Sequence, residues 1–401
     1  MPAGQVERYT VGRREILDRF RDDLDVLAKG ANRSERSDVP GMRVLIGDYG
    51  TGKSHLLEWL REEGMARKFL VAQTALDDRE ITPAHPKRVY RELLASLAYP
   101  DRPATDRGLL PLLERALESD RFPRGRDCPR YHRYLDPAML GVARARTADD
   151  PALLTQVLEW IEGQPFTDSS SFNRLVRKLK GPRFLALPDF RTFSHVYAYV
   201  LGGIASLARD VGYGGLIVLM DEAEFYQTLS AVNRSHARHL LACLALAALG
   251  PSGVCFDPVQ LFKGGMSVHR RIPFVYEDDQ PLYVVVSLTP VRDIIGTLAT
   301  LVPIERIALE LAPLTPDDYR CLFRKVVSLY PVPGPQRSLL SRLADPMGRA
   351  LFAGVETGAL ATPRAVLKLV VEFLDILKHR PSRCARFTQE LITRLFQGTP
   401  P

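Results

Sequence analysis

The feature that most constrains this chain is a glycine-rich motif at residues 47–54, which fits the pattern G-x-x-x-x-G-K-[ST] in full. An apolar run at residues 42–46 predicts a buried strand before it, and residues 54–63 predict a helix after it. Glycines let the backbone wrap around phosphate oxygens, and the helix adds its positive N-terminal end. This context predicts a phosphate-binding loop and disfavours the alternative, a glycine-rich turn that matches by chance.

Two side chains of this loop carry most of its expected chemistry. Lys53 can reach the β- and γ-phosphates of a nucleotide, and the Ser54 hydroxyl can ligate Mg²⁺. We therefore expect ATP and Mg²⁺ as ligands. The residues expected to contact the nucleotide here are Gly47, Asp48, Tyr49, Gly50, Thr51, Gly52, Lys53, Ser54 and His55.

A second motif follows the strongest predicted strand, residues 216–220, where Asp221 and Glu222 stand side by side. At the carboxyl end of a parallel strand, side chains face the ligand crevice. We expect Asp221 to hold Mg²⁺ and Glu222 to polarise an attacking water. A solvated acidic turn would be an equal alternative if the motif stood alone, but the phosphate loop disfavours it. Glu224 is expected to be solvated or structural.

The order of elements predicts an α/β fold with a doubly wound parallel sheet. Further strand candidates are residues 69–75, 282–287 and 307–311, and helical patterns separate them. Strands that are nearly all apolar indicate a sheet covered on both faces. We predict a nucleotide-binding core over residues 1–312, with a helical insertion at about residues 100–191. A helical lid is predicted over residues 313–401, since every signal after Pro313 is helical.

Composition indicates a soluble globular protein, with 46% hydrophobic and 25% charged residues and a formal net charge of +7. The apolar run at residues 240–249 is about half the length of a membrane span and predicts a buried helix, within a helical pattern that begins at residue 227. The first residues are polar and give no secretion signal. The five cysteines are scattered, which favours reduced thiols in a cytoplasmic protein. Cys128 and His132 lack further ligands for a zinc site.

Two groups of basic residues in the insertion leave two functions open. Such clusters can neutralise phosphates, and Tyr131 and Tyr134 could stack on bases. The alternative, slightly favoured, is a solvated basic face or a surface for an acidic partner protein. The first group is Arg121, Arg124, Arg126, Arg130, Arg133, Arg144 and Arg146, and the second is Arg174, Arg177, Lys178, Lys180 and Arg183.

The order of these signals resembles the AAA+ ATPases. Residues 9–13, Tyr-Thr-Val-Gly-Arg, look like the element that lines the adenine pocket in that family, which implies this role for Val11, Gly12 and Arg13. The strand that ends in Leu-Thr-Pro implies a γ-phosphate sensor at Thr289, with Ser287 as the alternative.

Two arginines gain expected roles from the same resemblance. Residues 361–364, Ala-Thr-Pro-Arg, resemble the start of the lid helix that carries a sensor arginine, so Arg364 would contact the γ-phosphate. Arg306 stands where an arginine finger often lies, with Arg292 as a second candidate. A finger supplied by a neighbouring subunit would imply a homo-oligomer or stack.

Within the AAA+ proteins, the details are most similar to the P-loop proteins of bacterial BREX-type phage-defence systems. The shared details are the loop Gly-Asp-Tyr-Gly-Thr-Gly-Lys-Ser-His, the sequence Val-Tyr-Arg at residues 89–91, Met-Asp-Glu-Ala-Glu at residues 220–224, and the large insertion between the two motifs. This resemblance implies an ATPase that couples its cycle to conformational change in a multi-protein assembly on DNA. Partner proteins and DNA are therefore expected, and a membrane is not.

Two other functions remain open. One is a nucleotide-gated switch or scaffold with slow hydrolysis. The other is a loader of the replication-initiator type, although no winged-helix pattern follows the expected lid. A small-molecule kinase is disfavoured, because the Asp-Glu pair suits attack by water better than phosphoryl transfer to a hydroxyl.

Overall fold

The computed structural model describes residues 6–29, 41–165, 169–178, 184–360 and 362–397 of the chain. Residues 32–40, whose polar composition predicts a linker, lie outside this part, as do Lys180, Arg183 and Ala361. Of Arg292, only the side chain lies outside it.

The described residues form two compact units. The first contains those of Met1–Asp18, Gly47–Glu62 and Glu310–Pro401. The second contains those of Arg19–Ile46 and Glu63–Leu309. The prediction of a core over residues 1–312 and a lid over residues 313–401 stays a prediction.

A five-stranded sheet, in the order β2-β3-β4-β1-β5, organises the α/β fold. Its strands are β1 (Met42–Ile46), β2 (Leu70–Ala75), β3 (Leu216–Asp221), β4 (Leu282–Leu288) and β5 (Ala308–Glu310). The pairs β2–β3, β3–β4 and β4–β1 are parallel. Ile46 is paired with Leu288, and Ala75 with Asp221, so these strands end at one edge of the sheet.

Burial of the strands agrees with the predicted parallel sheet. Every residue of β1 and β4 is buried, and β3 is buried up to Met220. Because successive side chains of a strand point to opposite faces, both faces of the sheet are covered. The last strand differs from its prediction at residues 307–311. It has three residues, none of them fully buried.

Helices lie in the intervals between the strands and make up most of the described chain after β5. They are α1 (Val6–Tyr9), α2 (Arg14–Ala28), α3 (Lys53–Ala66), α4 (Pro86–Ser96), α5 (Leu110–Leu117), α6 (Leu135–Thr147), α7 (Pro151–Ile161), α8 (Ser169–Lys178), α9 (Ser194–Asp210), α10 (Ala231–Leu249), α11 (Ser267–Arg270), α12 (Arg292–Ala299), α13 (Ile304–Ile307), α14 (Pro316–Leu329), α15 (Arg337–Glu356), α16 (Pro363–His379) and α17 (Pro381–Gln397). No helix among the described residues is long and apolar enough to cross a membrane.

Helix α10 begins later than its sequence pattern predicts. The pattern starts at residue 227, but Ala223–Thr228 forms a 3₁₀ helix instead. The Ser230 side chain accepts a hydrogen bond from the Asn233 N–H and starts the α-helix. A serine at this position satisfies one of the free N–H groups of the first turn, so the cap sets the boundary.

The first unit has its own apolar core. Helices α14, α15, α16 and α17 contribute buried side chains to it, including Tyr319, Met347 and Phe373. Tyr9 and Val11 pack against this cluster. The segment that resembles an adenine-lining element is therefore fixed to the helices of its own unit.

The segment predicted as a helical insertion has no strand among its described residues between 100 and 191. A buried histidine in this segment, His132, accepts hydrogen bonds from the backbone at the start of α6. The N–H groups of Tyr134 and Leu135 donate to Nδ1 of His132 at 3.1 and 3.0 Å. The ring proton therefore lies on Nε2, which faces the Tyr199 carbonyl oxygen at 3.4 Å. A Cβ atom at Gly203 would come within 2.2 Å of the imidazole, so glycine leaves room for it.

Acid should weaken the fold through this histidine. Burial, with a smaller contribution from Arg124, lowers the pKa of His132 to about 3, although the hydrogen bond with the Tyr199 carbonyl oxygen opposes the shift. The unfolded chain takes up a proton below pH ~6.5 while the folded chain does not, so unfolding free energy falls by up to about 1.4 kcal/mol per pH unit. His132→Asn should therefore destabilise the protein at pH 7.5, and its difference from wild type in thermal melts should shrink towards pH 5.

The exposed His379 is the matched control for this measurement. His379→Asn should follow wild type at every pH, since its side chain is exposed. A difference between His132→Asn and wild type that stays constant from pH 7.5 to pH 5 would contradict the assigned neutral ring.

Candidate nucleotide-binding site

The phosphate loop follows β1 directly in the chain, and α3 begins inside the motif at Lys53. Gly50 and Gly52 adopt left-handed backbone conformations, with φ of 79° and 104°. Other residues rarely adopt these angles, so the two glycines give the loop its path. No heavy atom lies within 4 Å of a Cβ built on Gly52. The loop therefore leaves open space at this glycine, as a phosphate cradle requires.

Lys53 is buried and is held by the loop itself. Its Nζ atom donates to the carbonyl oxygens of Gly47 at 2.7 Å and Asp48 at 3.3 Å. The Thr51 hydroxyl also donates to the Asp48 oxygen at 2.7 Å. These contacts place a positive charge inside the loop, which fits a phosphate-binding role.

Arg13 ties the N-terminal segment to the loop. Its guanidinium donates to the carbonyl oxygens of Ala312 at 2.7 Å and Thr51 at 3.3 Å. Burial lowers the pKa of Arg13 from its ordinary value, and Asp318 opposes this shift. Gly12 has φ of 62°, and a Cβ there would lie 2.7 Å from the Asp318 carboxyl carbon. Arg13 thus has a structural role, while adenine contact by Val11, Gly12 and Arg13 stays a prediction.

His55 also links the loop region to the N-terminal segment. Its Nε2 atom forms a hydrogen bond of 2.8 Å with the Thr10 hydroxyl. Burial lowers the pKa of His55, against the raising influence of Glu62. This hydrogen bond anchors Thr10 beside the first turn of α3.

The N-terminus of α16 packs on the phosphate loop and brings Arg364 to it. The Arg364 guanidinium lies 4.6 Å above the Tyr49 ring and donates to the Tyr49 hydroxyl. A Cβ on Gly50 would lie 3.2 Å from Thr362, which caps α16 by accepting from the Ala365 N–H. The structure thus brings the predicted sensor arginine to the loop. Tyr49 is predicted from the sequence to contact the nucleotide, but no local pattern predicts its contact with Arg364, 315 positions away.

At the end of β3, hydrogen bonds position the two predicted carboxylates. Oδ1 of Asp221 accepts from the Ser287 hydroxyl, and from the Glu222 N–H at 2.9 Å. Glu222 has φ of 60°, a left-handed conformation that costs energy for a residue other than glycine. Such strain clusters at functional sites. The Glu222 residue at this turn is exposed.

Thr289 contacts the carboxylate of Glu224, a residue that is expected from the sequence to be solvated or structural. Its hydroxyl donates to Oε1 of Glu224 at 2.6 Å, and its N–H donates to Oε2 at 3.2 Å. The expected structural role of Glu224 thus gains a specific partner. The two residues are 65 positions apart, so local patterns could not reveal the pair.

A buried ion pair anchors the helix that carries Arg306. Arg43 donates to both carboxylate oxygens of Asp23 at 2.7 Å, and the Tyr283 hydroxyl donates to Oδ2 of Asp23 at 2.6 Å. Arg43 also donates to the Arg306 carbonyl oxygen at 2.9 Å. The backbone of α13 is therefore fixed to β1, while the Arg306 residue is exposed. A role for Arg306 as a finger stays a prediction.

The hydroxyl and carboxylate oxygens of Ser54 and Asp221 are donors that Mg²⁺ prefers, together with phosphate oxygens and water. Within the described residues, no three histidine, cysteine, aspartate or glutamate side chains group as ligands of a metal ion. By this chemistry, each of the two side chains is a candidate ligand of Mg²⁺.

The first basic cluster is partly neutralised by neighbouring carboxylates. Arg124 and Arg130 both form ion pairs with Asp210, and Arg130 also pairs with Glu277. The prediction that Tyr134 could stack on bases is wrong. Its ring is fully buried and stacks 6.2 Å from the Trp160 ring.

Removal of Arg43 should be strongly destabilising. The side chains of Arg43 and Asp23 are 4% and 2% exposed, so Arg43→Leu leaves a buried charge without its cation. Unfolding free energy in urea should fall by about 3–5 kcal/mol. Arg14 pairs with Asp18 at side-chain exposures of 95% and 52%, and Arg14→Ala should cost less than about 1 kcal/mol. Equal losses in the two variants would refute the role given to the buried pair.

Comparison with known proteins places this sequence in a family. No curated protein matches the chain. The family model described as BREX system ATP-binding protein BrxC/D matches residues 1–118 and 135–246. These segments make up more than half of the 401 residues and include the phosphate loop and the Asp221–Glu222 pair. The chain therefore belongs to the BrxC/BrxD family of BREX-system ATP-binding proteins.

Proposed function

We propose that this protein is an ATPase of the AAA+ type, which couples its nucleotide cycle to conformational change in a DNA-acting phage-defence complex. The observation that carries the proposal is the complete phosphate loop, with left-handed Gly50 and Gly52 and the buried Lys53 held inside it. Family membership supports ATP as the nucleotide.

The roles of the phosphate loop follow from its charges and its open backbone. Lys53 exchanges its bonds to the loop carbonyls for the β- and γ-phosphate oxygens, and the loop N–H groups complete the cradle. Ser54 is a proposed ligand of Mg²⁺. The ion, when bound, offsets negative charge that develops on the phosphates.

The carboxylates that follow β3 divide the remaining work. Asp221 is the second proposed ligand of Mg²⁺, and the Ser287 hydroxyl fixes its orientation. Glu222 accepts a proton from a water molecule as the water oxygen attacks the γ-phosphorus and the bond to ADP breaks. The turn that places Glu222 outside the regular strand supports this assignment.

Thr289 and Glu224 form a proposed sensing pair. Glu224 acts as a positioning residue, because its carboxylate accepts from both the hydroxyl and the N–H of Thr289. The hydroxyl can accept a further hydrogen bond from a water molecule while it donates to Glu224. This arrangement supports Thr289, more than Ser287, as the residue that senses the γ-phosphate or orients the water.

We propose that residues 313–401 act as the lid and that Arg364 couples it to the nucleotide. Arg364 rests on Tyr49 of the phosphate loop. A γ-phosphate is a stronger partner for a guanidinium than a phenol, so ATP should draw Arg364 away from Tyr49. Val11, Gly12 and Arg13 are proposed to border the adenine, as the family resemblance implies.

Assembly with further molecules completes the proposal. Arg306 would act as a finger supplied to a neighbouring copy, so hydrolysis would require a homo-oligomer or stack. The exposed position of Arg306 and the anchored backbone of α13 support this role. DNA and the other proteins of the defence system are the proposed partners. The ion pairs of Arg124 and Arg130 reduce the basic charge that the insertion can offer to DNA.

Steady-state ATP hydrolysis by wild type, Lys53→Ala and Glu222→Gln, each with and without double-stranded DNA, tests this function. Wild type should turn over, and each variant should lose at least about a hundredfold in rate, since each lacks phosphate binding or water activation. DNA should stimulate wild type only.

Glu159→Gln is the matched control, because Glu159 is an exposed glutamate on α7. It should hydrolyse ATP like wild type. Wild type that binds ATP but hydrolyses almost none, with no response to DNA, would refute the motor and favour a nucleotide-gated scaffold.

A further inference from the structure

An exposed apolar segment lies in the second unit, between α10 and β4. Val259 is 91% exposed, Met266 71% and Phe262 56%. Single exposed apolar residues are common, but three large ones within eight positions are not explained by the packing of the fold. The segment belongs neither to the phosphate loop nor to the carboxylate pair.

A surface hollow of about 590 Å³ lies at this segment. Five of its lining residues are apolar, two are cationic and none is acidic. They are Pro258, Val259, Leu261, Phe262, Lys263, Arg270 and Phe274. We call these residues, with Met266, the 258–274 surface.

Local bonds give the 258–274 surface a defined shape. The Asp257 carboxylate accepts from the Val259 N–H at 2.9 Å. The Gly264 N–H donates to the Thr192 carbonyl oxygen at 3.1 Å. Arg270 donates to the Gly265 carbonyl oxygen at 2.9 Å. The apolar side chains are thus displayed by an ordered backbone.

Lys263 combines the two chemical characters of the hollow. Its ammonium lies 4.8 Å above the Phe274 ring, within the range of a cation–π contact. Arg270 supplies a second positive charge to the same lining. An occupant that brings carboxylates to these cations and apolar side chains to the hollow would be complementary in both respects.

We propose that the 258–274 surface is a docking site for a partner protein, through a segment whose apolar side chains stand next to aspartates or glutamates. The lining favours such a segment over nucleic acid. Pro258, Val259 and Leu261 offer aliphatic contacts that suit side chains, whereas bases stack on aromatic rings along a more continuous basic track. The inference does not depend on ATP hydrolysis.

The test measures binding of labelled peptides to the full chain by fluorescence anisotropy. The probe is a peptide of about a dozen residues in which leucine and phenylalanine alternate with aspartate and glutamate. A second peptide carries lysines in place of the acids, a third carries serines in place of the apolar residues, and a single-stranded DNA oligonucleotide matches the probe in charge. The acidic apolar peptide should bind at least tenfold more tightly than the other three, a difference of about 1.4 kcal/mol.

Two surface variants and one control locate the site. Val259→Ser with Phe262→Ser, and Lys263→Glu with Arg270→Glu, should each weaken the acidic apolar peptide by at least tenfold. Val232→Ser should bind it like wild type, since Val232 is also exposed, at 64%, but does not line the hollow. No binding, equal binding of all peptides, equal loss in the control, or tighter binding of DNA that depends on the same residues would overturn the proposal.

Discussion

The parallel pairing of β3, β4 and β1 sets the positions of the polar groups that follow β3 and β4. Their register pairs Met220 with Val286 and Ile46 with Leu288, so the three strands end at one edge of the sheet. Polar groups at that edge must find partners, and Asp221 and Thr289 find them in Ser287 and Glu224. The same hydrogen bonds that satisfy the edge also orient the groups proposed to act on water and metal.

The phosphate loop solves a related problem within the first unit. A cation placed among backbone groups needs oxygen partners until an anion arrives, and the carbonyl oxygens of the loop supply them to Lys53. Arg13 and Arg364 hold the loop from two further elements, through Thr51 and Tyr49. In the proposed function, binding of phosphate replaces contacts of Lys53 and Arg364 together, and this exchange is the proposed link between the nucleotide and α16.

Sequence reasoning predicted the strands, the phosphate loop and the carboxylate pair, because apolar runs and glycine spacing are local signals. Arg364 lies far from the loop in sequence but contacts it in the structure, and only the resemblance to a family predicted a role for it there. The Glu224–Thr289 and Arg43–Asp23–Tyr283 contacts join distant positions, so no local pattern could predict them. The prediction that Tyr134 stacks on bases is wrong. A tyrosine in a cluster of arginines is expected to be exposed, but packing against Trp160 buries this one.

Equilibrium binding of Mg²⁺–ATP to wild type, Lys53→Ala and Glu222→Gln is the decisive test of the phosphate loop, because it separates nucleotide binding from hydrolysis. Glu222→Gln should keep the wild-type dissociation constant within about threefold, since Glu222 is proposed to act on the attacking water. Lys53→Ala should weaken binding by at least about tenfold, since a charge-assisted phosphate contact is lost. Unchanged affinity in Lys53→Ala would contradict the assignment of this loop as the nucleotide site.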